Sequence, residues 1–89
     1  MSDVLDSPVL DSQVLDELDR LFQELIRQQH AKVGVLARRH NPRFTDDDLE
    51  QPHDYPELAS DPAWQYEDGV LAGYRSAHMA VRAQLRRRG

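Results

Sequence analysis

Four histidines (His30, His40, His53 and His78) and sixteen carboxylates are the groups in this 89-residue chain that could do chemistry, and there is no cysteine. A metal site would therefore be built from imidazole and carboxylate alone, and no disulfide can form. A ferritin-like di-metal centre needs inward-facing glutamates and a Glu-x-x-His on a helix, so that both ligands share a face. The one match is Glu50-Gln51-Pro52-His53. Pro52 between the ligands does not suit a helix interior, so the match reads as accidental. Glu67 and His78 point to nearly the same side of a later helix but stand about 16 Å apart along it, too far to hold one ion within a chain. What remains of the metal reading is Glu24, Glu67 and His78 meeting between two subunits.

The other chemical candidates reduce to simpler roles. Asp46-Asp47-Asp48 lacks the alternating oxygens and the glycine of a calcium loop, and fits negative charge at a helix start. The arginines from Arg82 to Arg88 could touch phosphate, which leaves a nucleic-acid-associated regulatory subunit as the weakest alternative. Matching the end of a helix dipole explains them more simply. Ser76 and His78 are two apart and point to different faces of a helix. No glycine-rich phosphate loop, nucleophile elbow or paired carboxylates in a cleft is evident, so catalytic residues and cofactors are expected to be none.

The elements that position these residues are two long amphipathic helices. Residues 1–12 carry a Val-Leu-Asp near-repeat of period five, interrupted by Pro8, and read as a flexible acidic tail or a short docking peptide. The first helix spans 13–40, with Ser12 as its cap and Asn41-Pro42 as its stop. Its stripe is Leu15, Leu18, Phe22, Leu25, Ile26, Val33 and Leu36, with Gln29 in the middle. The connector, 41–61, holds a Thr45/Asp48 capping box and a turn at Tyr55-Pro56-Glu57-Leu58. Phe44, Leu49, Tyr55 and Leu58 are expected to pin it down. Ser60-Asp61-Pro62 opens a second helix over 62–87, with a stripe of Tyr66, Val70, Tyr74, Ala77, Val81 and Leu85. Small residues at Gly69, Gly73, Ala77 and Ala80 would permit close approach of another helix.

The predicted fold class is all-α, an antiparallel two-helix hairpin that dimerises into a four-helix bundle. Net charge runs −6, +5, −9 and +5 over residues 1–25, 26–43, 44–68 and 69–89, as counted from the sequence. Folding the helices antiparallel sets Asp16, Glu17 and Asp19 near Arg82, Arg86 and Arg87, and Arg38 and Arg39 near Glu67 and Asp68. Such exposed pairs fix orientation more than stability. Two helices cannot enclose a core, and a second copy is the simplest cover. The interface is assigned to Leu18, Phe22, Leu25, Gln29, Val70, Tyr74, Ala77 and Val81, with the buried amide setting register. In outline the hairpin resembles the subunits of encapsulated ferritin-like proteins, but it lacks their helix-borne ligand spacing and no site carries over.

Composition narrows the function further. A net charge of −5 disfavours general nucleic-acid binding, which needs a basic surface. No stretch has the roughly 20 apolar residues of a membrane span, and Met1-Ser2-Asp3 is no basic leader. A cytoplasmic location is expected, and ten Arg against one Lys points to a GC-rich bacterial genome. The leading function is a non-catalytic protein-interaction or self-assembly module, acting as a homo-oligomer with a possible further protein partner. Trp64, Tyr66 and Tyr55 are candidate anchors for that partner, or seals of the connector onto the bundle.

Overall fold

The computed structural model describes residues 11–88, and the calls on the Val-Leu-Asp tail fall outside them, apart from its last two residues. The order is a long helix α1 (Ser12–His40), two one-turn helices α2 (Asp46–Leu49) and α3 (Pro56–Ala59) separated by a 3₁₀ turn over Pro52–Asp54, and a long helix α4 (Pro62–Arg88). No strand occurs among the described residues. Helix α1 starts one residue before expectation, because Asp11 rather than Ser12 is the cap: its Oδ1 accepts the Val14 N–H at 2.8 Å. At the other end Arg38, Arg39 and His40 place positive charge on the negative pole of the dipole.

The connector is three tight turns whose side chains satisfy their own backbone. Thr45 and Asp48 form the expected capping box, and the Tyr55 hydroxyl donates to the second Asp48 oxygen at 3.1 Å. Pro52 and Pro56 each sit in a first turn, where the missing N–H costs nothing. Asp61 accepts the Ala63 N–H at 3.0 Å and so caps α4. The Ser60 hydroxyl instead turns back to the Pro56 carbonyl.

The core lies at this end of the hairpin. Val33, Ala37, Phe44, Leu49, Leu58, Trp64 and Leu71 form one buried cluster, with Ile26, Leu36 and Tyr55 packed against it. Phe44 and Tyr55 meet edge to face, centroids 4.7 Å apart. All four residues expected to pin the connector thus do so. Beyond the cluster α1 and α4 continue as a two-helix stalk in which, among the described residues, Leu15 is the one buried apolar side chain. The molecule measures 50 × 23 × 17 Å, and 17 Å is too thin for more than about one to two layers of helices.

Antiparallel packing holds as expected, but the ion pairs differ from those read off the charge blocks. Asp19, Gln29 and His40 along α1 meet His78, Glu67 and Asp61 in descending order. Glu67 pairs with Lys32 at 3.2 Å rather than with Arg38 or Arg39, because this register sets it two turns further down α1. Arg38 instead donates to the Phe44 carbonyl and to Asp46, tying the connector to the helix it leaves. Of the acidic residues at the start of α1, Asp19 is the one that reaches α4, and its partner is His78. The Arg82 charge acts on Asp19 as the charge blocks expect, but Arg82, Arg86 and Arg87 make no ion pair within 4 Å with another described residue.

Candidate interaction face

Each residue of an α-helix is turned about 100° from the last. Leu15, Phe22, Gln29 and Val33 therefore share the line of α1 that meets α4, and Trp64, Leu71 and His78 share the facing line of α4. Val14, Leu18, Leu21 and Leu25, spaced four, three and four, lie roughly 60–120° to one side of the first line. Val70, Tyr74, Ala77 and Val81, also spaced four, three and four, lie roughly 80–140° in the same rotational sense from the second. A twofold axis perpendicular to the layer relates two antiparallel helices, so equal turns land on the same side. Both apolar rows thus belong to one face of the hairpin.

Exposure agrees with this geometry. Leu18, Leu25, Val70, Tyr74, Val81 and Leu85 are half-buried, Ala77 is exposed, and Leu21 is 52% and Val14 36% exposed. The connector does not cover the face. It packs on the opposite side of α1, where Gly34 and Ala37 are buried, and beside Asp68 of α4, which feels the Glu50 charge. Four-three spacing is what helices use when they pack into bundles at shallow angles. Two such rows on one side can seat two further helices.

Of the eight residues assigned to an interface, Leu18, Leu25, Val70, Tyr74 and Val81 lie half-buried on this face and Ala77 lies exposed on it. Phe22 sits between the helices, stacked on His78 with centroids 6.2 Å apart. Gln29 is buried but serves the hairpin itself: its Nε2 donates to the Glu67 carbonyl and to Glu67 Oε1, both at 2.8 Å. The amide thus ties the register of α1 against α4 within the chain. The α4 stripe from Tyr66 through Ala77 is likewise flanking; the residues that pack on α1 are Trp64, Leu71 and His78. Gly69 and Gly73 are exposed, and an added Cβ there would meet nothing within 4 Å, so neither brings α4 closer to α1.

The proposed partner anchors separate. Trp64 is in the core at 3% exposure, with no acceptor for its indole N–H, and Tyr55 is half-buried against Phe44. These two seal the connector onto the long helices. Tyr66 is 70% exposed. Leu21 and Val14 are the face residues the sequence stripe missed. A single 3.6-period stripe centred on Leu15 and Phe22 leaves them at its margin, although their spacing from Leu18 and Leu25 was visible.

The charged groups once considered as ligands each have a different partner. Glu24 holds Arg27 and Gln28, Glu67 holds Gln29 and Lys32, and His78 is 2.6 Å from Asp19. Among the described residues no three potential ligands come together. The hydrogen bond with His78 holds the Asp19 carboxyl below its ordinary range, and the bond with His40 does the same for Asp61. Gln29, then Lys32, lower Glu67. Burial pushes Asp68 the other way. His53 and Glu50 are both exposed on the connector, His53 in the 3₁₀ turn, as Pro52 foretold. No described helix is long and apolar enough to cross a membrane. The chain matches no protein-family model, no curated protein and no solved structure.

Proposed function

We propose that the chain is a self-assembly module, a helical hairpin that associates through its uncovered face into a four-helix bundle and has no catalytic role of its own. The observation that carries this reading is the pair of four-three apolar rows on one side of the stalk, with Leu21 half in water. An interaction surface is the usual meaning of a contiguous apolar face on an otherwise polar protein. A domain of this size buries only about 60–65% of its unfolded surface, and association is one way to recover stability. Its oligomeric role also explains why the buried cluster stops at Val33 and Leu71 while both helices run on for about five to six turns.

Leu21→Asp tests the reading cleanly. Leu21 does not belong to the core, so a carboxylate there leaves a lone hairpin helical and as stable as before, while it desolvates a charge in any bundle built on this face. Sedimentation velocity is expected to give a multimer for the parent chain and a hairpin of single-chain mass, with unchanged far-ultraviolet circular dichroism, for the variant. Equal masses for the two would remove the face from the interface.

A further inference from the structure

Given the self-association proposed above, we infer that the second copy docks about a twofold axis parallel to the helices, so that α1 of one copy lies on α4 of the other and both connectors emerge at the same end of the bundle. Two face-to-face arrangements satisfy the apolar rows. With the axis parallel to the helices, α1 covers the partner's α4 and every neighbouring pair is antiparallel. With the axis across them, α1 covers a second α1 and α4 a second α4, and the connectors point to opposite ends.

Charge decides between the two. Residues 11–25 hold five acids and one arginine, and residues 70–88 hold five arginines and no acid. The apolar rows lie within these two segments. The crossed arrangement would stack the acidic half of α1 on its own copy and the basic half of α4 on its own copy. The parallel-axis arrangement sets the net-acidic half of α1 on the net-basic half of the partner's α4. Within the chain the same attraction already acts, since the Arg82 charge helps to lower Asp19, while Arg86 and Arg87 make no ion pair with a described residue and Glu24 is occupied by Arg27. Like charges brought together across an interface are costly and complementary ones select the orientation. The connectors do not obstruct either choice, since they occupy the outer sides.

The chain has no cysteine, so His53→Cys, in the exposed connector, gives one labelling site per copy. Double electron–electron resonance on the spin-labelled full chain is expected to show an inter-copy distance of about 30 Å, two connectors on the outer sides of layers about 10 Å apart. The crossed arrangement puts the labels at opposite ends. The connector folds back beside the His40 end of α1, and residues 21 and 40 differ by about 28 Å in height at 1.5 Å per residue, so the distance would be roughly 60 Å, and that result overturns the inference while leaving self-association intact. A flat dipolar trace together with a single-chain mass overturns both. Adding Leu21→Asp to the labelled variant is expected to abolish the short distance without loss of helicity.

Discussion

The two ends of this hairpin have similar helix lengths and opposite packing. At the connector end, three short turns fold back over α1 and α4, and Leu58 and Ala37 are 0% exposed. In the stalk the same helices have only each other, and Leu18, Leu25, Val70, Tyr74, Val81 and Leu85 stay half-buried. Hydrophobic content does not separate the ends; covering does. A helix pair closes its core only where a third element crosses it, and here that element spans about a third of the length. The connector end holds the closed core, and the stalk carries the apolar face that nothing in the chain covers.

The largest expected effect comes from emptying the closed end. Leu58→Ala should cost about 2–5 kcal/mol, the range for a buried leucine, which in a domain of marginal stability means a chain largely unfolded at 37 °C by circular dichroism. A melting temperature within a few degrees of the parent would contradict the placement of the core. Acid comes next. Asp19, Asp61 and Glu67 have folded values below their unfolded ones. Their contribution is therefore complete above the unfolded values, 3.8 for aspartate and 4.5 for glutamate, and fades as pH falls through the lower folded values. Thermal melts should drop steeply below about pH 4, and Asp19→Asn with Asp61→Asn should flatten that limb. Asp68 has the opposite sign: its folded value is raised, so its charge opposes folding at neutral pH and protonation relieves it. Asp68→Asn should raise the melting temperature at pH 7 and do little at pH 3.

The smallest effect sharpens the contrast by making one substitution at both ends. Gly73→Ala in the stalk adds a methyl that meets nothing, and should stabilise by about 0.5–1 kcal/mol through helix propensity alone. Gly34→Ala at the closed end sets a Cβ 2.6 Å from the Arg38 guanidinium, which holds the Phe44 carbonyl. There the gain should shrink or vanish. Urea midpoints for the two variants measure the difference, and equal gains would mean that Arg38 is not a clamp.

Much of the architecture was legible in the residues. Caps and prolines mark both long helices to within a residue or so, and the Thr45/Asp48 box and the turn at Pro56 are written in side chains that bond locally. What the sequence did not yield is register. The charge blocks gave the direction of the helices correctly, yet matched Arg38 and Arg39 to Glu67, because block sums ignore that Gln29 and Lys32 reach Glu67 first. The same gap explains Gln29: a polar residue in an apolar stripe signals a specific partner, but not whether that partner lies in the same chain. It also explains Trp64 and Tyr66, two residues apart in one helix, of which one fills the core and the other stands in water. Which flank of α4 faces α1 depends on where the connector delivers it.

Amide hydrogen exchange followed at low and high protein concentration compares the two regions most directly. Protection that rises with concentration across residues 14–25 and 70–85, while residues 33–64 stay equally protected throughout, is the expected result. Protection in the stalk that is strong and independent of concentration in a chain of single-copy mass would show that the two helices are sufficient cover for each other, and would contradict the assignment of the open face to a second copy.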